Sequence, residues 1–438
     1  MAQQAAGMMA SRSLTHTGLV ILIAPGLFLQ GFDSPIGQTV VCLVASGVLA
    51  TLLLAERPQY AFWQRYGPKL LVPLLAMAWL LAVAGFRLAA MDTSGLPFAP
   101  DLFVPKFLAT LAGLWALAIG LICARASDGR MAPSDWILLA VTLHTLAGLV
   151  QFGLLLAGLS DDWDVMYRNR FAGLIGNANV TACVCGTACV LAWGNMLASF
   201  NRPPGGGGAA SPGHAIPSML ALAINVPALV LTASRVPAVV TLAAMILLLV
   251  LLTRRRASFA RLLPAVVLSG IAVMLVQSQF AAELVDRMGL VGSDMESRWM
   301  MWTHYAQSVP AAVWTGYGPG SFSSLNIFTM PPEGGRYELW SVNSSHNLIV
   351  QLLLVGGVPY FALLALAAIL VARDIFRSAL WRHRDDRFVT LALAACIIPI
   401  AGAVDIALDI PASTLLFAVL TGLAWGMSTP EPTREKRH

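Results

Sequence analysis

Apolar runs long enough to cross a bilayer recur from residue 17 to residue 427, and they decide most of what this chain can become. A hydrocarbon core about 30 Å thick takes roughly 20 apolar residues as a helix. Inside it every backbone N–H and C=O has to find a partner within the protein, which such runs achieve by turning helical. The 438 residues are 58% hydrophobic and only 11% charged, against about 25% charged in ordinary soluble domains. The expected fold class is therefore an all-α polytopic membrane protein, one integral domain over residues 1–438. Twelve spans are expected, at 17–30, 36–55, 69–86, 102–123, 135–159, 172–198, 217–233, 236–253, 262–279, 346–371, 388–405 and 409–427. Arg12 and LVILIAPGLFL are followed by QGFD and no small-residue cleavage site, so the first span reads as a retained helix rather than a removable signal. Ser234, Arg235, Val236 and Pro237 split 217–253 into a hairpin of two spans, and PPGGGG at 203–208 reads as a flexible linker.

The net charge of +5 is spread over loops between the spans, which excludes a nucleic-acid surface. With the N-terminus inside, 19 of the 27 Lys and Arg residues fall on the cytoplasmic side and seven on the other, while Lys106 lies within a span. That bias fixes an N-in, C-in orientation. It leaves one long loop, about 280–345, outside. Its segment SRWMMWTHYAQSV suits a helix in the membrane interface with Trp299, Trp302 and Tyr305 toward the headgroups. Pro310, GYGPGSF and MPPEGG then stop regular structure. Three of the six cysteines form CVCGTAC, a metal-like spacing, but no His or acid accompanies them, and they read as packing residues.

The outside cations share one depth. Arg87 ends span three, Arg168 and Arg170 precede span six, Arg235 sits in the hairpin, and Arg298 begins the interfacial segment. Lys106 lies about four residues into span four, roughly 6 Å from its outer end. Any single arginine here could reach a lipid phosphate or pair with Asp161, Asp162 or Asp164. A lysine inside a span costs about 2.5–3.5 kcal/mol at mid-bilayer and marks a function by default, though a shallow depth discounts this. Several cations at one level call for an anion, and a phosphate-bearing lipid gripped by arginine forks is the natural candidate. Glycines and asparagines of RNRFAGLIGNANVTA (168–182) interrupt the opening of span six, and broken backbone at that depth belongs against protein or a cavity; a glycine packing interface would look the same. Asp162-Trp163-Asp164 has the D-x-D spacing of some metal-dependent glycosyltransferases, but a solvated acidic loop is the simpler reading.

GNANVTA, the Ser234-Arg235 pair, SRWMMW (297–302), TGYGPGSF (315–322) and SSHNLIVQLLLVGGV (344–358) together resemble the O-antigen ligase/polymerase superfamily over about residues 100–360. The resemblance implies a GT-C-like glycosyltransferase in the bacterial inner membrane with its active site facing the periplasm. It implies transfer of a glycan from an undecaprenyl-diphosphate carrier to an acceptor hydroxyl, with membrane lipids as surroundings, no nucleic-acid partner, no metal and no cofactor. It makes His346 the general base, since a neutral imidazole can take the acceptor's proton near operating pH. It sets Arg298 and Arg235 where charge grows on the leaving diphosphate. The other outside cations, Arg170, Lys106, Arg87 and Arg168, together with Asn347, are the further candidate substrate-binding residues.

Three activities fit that superfamily: ligation of O-antigen to lipid A-core, polymerisation of the lipid-linked chain, and protein O-glycosylation. One sizeable outer loop and little sequence after span twelve favour the ligase. A lipid-linked glycan transporter is the reading from another class. It expects a midplane site between repeated halves, and the only deeper polar candidate is His144, better read as a core histidine satisfied by a neighbouring helix. His304 is the rival base. A bland reading makes Ser344 or Ser345 the N-cap of span ten and His346 a boundary residue. A helix N-terminus, however, disfavours imidazolium and so favours the neutral base.

Overall fold

The computed structural model describes residues 2–89, 95–124, 132–159, 170–201, 215–253, 291–330, 339, 342–382 and 385–428. Among the described residues there are thirteen helices and no strand. They are α1 (Ala2–Phe28), α2 (Pro35–Glu56), α3 (Tyr60–Ala89), α4 (Pro100–Cys123), α5 (Pro133–Leu156), α6 (Ala178–Asn201), α7 (Ala215–Leu231), α8 (Arg235–Thr253), α9 (Val291–Ala306), α10 (Phe322–Thr329), α11 (Leu348–Arg382), α12 (Asp386–Gly402) and α13 (Pro411–Met427). Seven are long and apolar enough to cross a membrane, and three shorter apolar stretches, Thr15–Phe28, Ala215–Leu231 and Pro411–Met427, accompany them. The chain is a multi-pass membrane protein. A helix stands at eleven of the twelve expected positions. Span nine, the linker 203–208, Asp161, Asp162, Asp164, Arg168 and the segment 254–261 lie outside the described residues.

Local chemistry sets the starts. Proline, which needs no N–H there, opens α2, α4, α5 and α13. At α2, Ser34 also accepts from the Gly37 N–H. Packing then follows small residues. α6 is the central helix, 94% buried in its apolar window, and carries Cys183, Cys185 and Cys189 as buried thiols in the core. α4 and α13 approach so closely that a Cβ on Gly120 would stand 2.3 Å from the Val419 carbonyl oxygen, and one on Gly422 2.2 Å from that of Leu117. Small residues four apart allow this backbone contact between membrane helices.

α11 is broken at Gly357 (φ 69°, ψ −169°), a backbone conformation open essentially to glycine alone. The GYGPG turn fills the break. Tyr317 N–H donates to Leu354 C=O at 2.6 Å, Gly318 N–H to Val355 C=O at 2.9 Å, and Val358 N–H to Val313 C=O at 2.8 Å, while Trp79 Nε1 donates to Gly356 C=O at 2.8 Å. Backbone freed by a helix break at membrane depth thus regains its partners. A Cβ on Gly357 would lie 2.4 Å from the Trp314 carbonyl carbon. Gly357→Ala is expected to cost about 2–5 kcal/mol, from the conformation and the clash together. Gly47→Ala, where nothing lies within 4 Å, should be neutral or mildly stabilising. Thermal unfolding of the two variants in the same detergent checks this.

The segment expected to form the outer loop folds on that turn. Tyr305, Ala312, Tyr317, Phe322, Leu325, Leu339 and Leu354 form its core. Tyr305 is fully buried and donates to Asn326 Oδ1 at 2.8 Å. The interfacial expectation for Trp299, Trp302 and Tyr305 therefore needs correction. On a helix, residues 298, 302 and 305 share one face, and that face turns inward; of the three aromatics, Trp299 is the exposed one.

Candidate functional site

The site forms where helix ends meet. Phe171–Asn177 is a turn, with left-handed Gly173 and Gly176, whose last residue caps α6. Asn177 Oδ1 accepts from the N–H groups of Asn179 and Val180 at 3.0 and 3.1 Å. Asn347 does the same for α11, accepting from Ile349 and Val350 at 3.0 and 3.1 Å. The N-cap of span ten is thus Asn347 rather than Ser344 or Ser345, both of which are buried and bonded elsewhere. The side-chain oxygen of Asn347 is committed to two backbone donors, a role distinct from the substrate contact expected of it.

Asp405, in the connection from α12 to α13, joins the pieces. Its carboxylate accepts from Asn179 Nδ2 at 2.7 Å and Arg298 Nη2 at 2.8 Å, and His346 Nδ1 lies 3.4 Å from its other oxygen. That oxygen also takes the Ile406 N–H at 2.8 Å. Arg298 Nη1 reaches Val404 C=O at 2.6 Å. Asn179 Oδ1 in turn accepts from Arg170 Nη2 and Ser234 Oγ, both at 2.9 Å, so the amide orientation is fixed by the donors around it. Arg170 Nε donates to Thr232 C=O at 2.8 Å. Arg235 follows Ser234 directly and opens α8, half-buried. Arg170, Arg298 and His346 are thus gathered from three places in the chain, with Arg235 next in sequence to Ser234, which bonds Asn179.

The electrostatics follow from burial and neighbours. Burial pushes the Asp405 carboxyl pKa up, but the His346 hydrogen bond and the Arg298 charge outweigh it and hold it below the usual carboxylate range. The Asp405 side chain is 8% exposed, whereas His346 and Arg298 are 23% and 26% exposed. The acid is closed off while the imidazole and guanidinium remain reachable. A carboxylate at Nδ1 holds the proton there and leaves Nε2 as the lone-pair nitrogen, the second-neighbour effect that selects a tautomer. The N-termini of α6, α8 and α11 meet at this place, and their dipoles add positive potential where an anion would sit.

Other expected residues go elsewhere. Arg87 is 2% exposed and donates to Thr315 Oγ1 at 2.9 Å and to Gly316 C=O, with the Tyr317 ring 5.5 Å away. It braces the turn in the α11 break and is not brought to Asp405. Lys106 Nζ lies 3.5 Å from Asp33 Oδ1, both side chains about 40% exposed, a pair of the kind that contributes little to stability. His304 bonds Thr329 Oγ1 at 3.2 Å and packs on Tyr305, within the loop core. His144 is buried edge-on to Phe28 of α1. Asp405 and Asp409 were missed. The argument applied to Lys106, that a charge at a span's edge marks a function, would have found both in AVDIALDIP.

Together, fold and site define a multi-pass membrane protein with a His–Asp–Arg cluster at one set of helix ends. Residues 220–365 match the family model described as O-antigen ligase. The match covers about a third of the chain's length and supports its likeness to the O-antigen ligase/polymerase superfamily. The matched segment holds Arg235, Arg298 and His346, while Asn179 and Asp405 lie beyond its two ends. No curated protein matches the chain.

Proposed function

We propose that this protein is a glycosyltransferase that ligates undecaprenyl-diphosphate-linked O-antigen to a hydroxyl of lipid A-core at the periplasmic face of the bacterial inner membrane. The observation that carries the reading is the His346–Asp405–Arg298 cluster, with an imidazole whose Nε2 faces away from its carboxylate partner and arginines beside it. In the proposed step the acceptor hydroxyl loses its proton to His346 Nε2, and its oxygen bonds to the anomeric carbon. The bond from that carbon to the diphosphate breaks, and undecaprenyl diphosphate leaves. Displacement in one step inverts the anomeric centre. Charge grows on the diphosphate as it departs, and Arg298, Arg170 and Arg235 are the donors proposed to meet it. Guanidinium charge takes the part a metal ion plays in other transferases.

The same reading includes a twelve-span GT-C-like fold with residues 280–345 as its periplasmic loop, inside a single domain. Arg298→Ala and Arg235→Ala are each expected to weaken donor use by about 2–5 kcal/mol, with lysine a partial substitute because it lacks the planar fork. Unchanged donor use in both alanine variants would assign these arginines to lipid anchoring instead.

Purified protein reconstituted with lipid-linked glycan and lipid A-core, without nucleotide sugar, tests the reaction. Glycosylated core is the expected product. Longer lipid-linked chains without it would replace ligase by polymerase, modified pilin-like substrate would indicate a protein transferase, and glycan moved across the membrane unaltered would indicate a transporter.

A further inference from the structure

Asp409 sits four residues beyond Asp405 in the same connection, partly buried, and the proposed reaction does not use it. It touches the other side of the histidine's segment. Ser344, 2% exposed, donates its hydroxyl to Asp409 Oδ2, and the His346 N–H points back at that hydroxyl at 3.4 Å. On the far side, Trp302 Nε1 donates to the His346 carbonyl at 2.9 Å. His346 itself stands at φ +51°, in the left-handed region that side-chain-bearing residues uncommonly visit. Such a conformation lasts where the surroundings over-determine it. Here the backbone N–H is held within the turn by Ser344, itself bonded to Asp409, and the C=O by Trp302 of α9, and the imidazole is thereby aimed at Asp405.

We propose that Asp409 is a positioning residue: acting through Ser344, it fixes the left-handed turn at His346 and so aims the imidazole. Burial pushes the Asp409 carboxyl above its ordinary range, with the Ser344 hydrogen bond and the charges of Lys106 and His346 pulling it down and Asp33 pushing it up. The proposal rests on His346 being the base, and the test separates the two ideas.

Transfer turnover and donor binding are measured for Asp409→Ala, Asp409→Asn, Ser344→Ala and His346→Ala, and for Asp409→Ala combined with His346→Ala. Asp409→Ala should slow turnover about ten- to a hundredfold, the scale of a misaimed catalytic group, with donor binding unchanged within about twofold. Asp409→Asn, which keeps an acceptor for Ser344, should recover most of the rate, and Ser344→Ala should fall with Asp409→Ala. In the His346→Ala background, Asp409→Ala should add nothing, because coupled residues lose their effect together. An equal loss in both backgrounds would overturn the positioning role and leave Asp409 a structural residue. Normal turnover by His346→Ala would remove the base and the positioning role with it. If Asp409→Ala does not fold, Ser344→Ala carries the test, and its unchanged turnover overturns the proposal.

Discussion

Asp405→Asn is expected to slow glycan transfer by about 10³–10⁴-fold while leaving the protein folded, as loss of the carboxylate behind a catalytic imidazole does elsewhere. The asparagine side chain fills the same space but lacks the charge that Arg298 pairs with at 2.8 Å. With its oxygen kept on the Ile406 N–H it turns its NH2 toward the Arg298 and Asn179 donors, and turned over it presents an N–H to His346 and gives up the Ile406 acceptor. Asp405→Ala should be worse for the fold, costing about 3–5 kcal/mol, because Arg298 is left with a charge whose partner is gone. The pH dependence has a definite sign. The folded Asp405 pKa is lowered, so its contribution to stability is present above the ordinary carboxylate range and is lost as pH falls through the lowered value. Thermal unfolding of wild type should therefore weaken in acid, below the usual carboxylate pKa, and Asp405→Asn should lack that part of the loss. Turnover and melting measured on the same preparations check both statements. Wild-type rates in Asp405→Asn would dissociate the acid from the chemistry.

The helices were legible because each carries its own apolar run, and the breaks in the runs coincide with residues that end helices. The hairpin at Ser234 and the turn before α6 were legible for the same reason, one through Pro237 two residues after Arg235, the other through Gly173, Gly176 and Asn177. Distance along a span gives only an expected depth, and the lateral position of the cations could not be read from it. Of three cations expected at one depth, Arg87 braces the Gly316 turn, Lys106 faces Asp33, and Arg298 alone reaches Asp405. Which neighbour a side chain meets depends on helix packing set by contacts such as Gly120 on α13, between residues hundreds of positions apart. Asp405 illustrates the limit. Its partners Asn179, Arg298 and His346 lie 226, 107 and 59 residues away, and in sequence it is one of two short acids at the edge of a span. The face of α9 was misread for a related cause. Aromatic residues near a membrane suggest headgroups, but Tyr305 finds Asn326 and Trp302 finds the His346 carbonyl, so both turn inward.

His346 joins these threads, and its replacement is the second large expected effect. The ring is held at Nδ1 by Asp405, its backbone by Ser344 and Trp302, and its residue precedes the capped start of α11. His304, the rival, is engaged with Thr329 and Tyr305 in the loop core. His346→Ala and His304→Ala should be expressed at matched levels, with binding of lipid-linked donor and transfer to acceptor measured separately. The account predicts that His346→Ala binds donor as wild type does yet transfers it at least about a hundredfold more slowly, the lower range for loss of acid–base catalysis, while His304→Ala transfers nearly normally. Near-normal transfer by His346→Ala would contradict it and reduce His346 to a residue at a helix boundary.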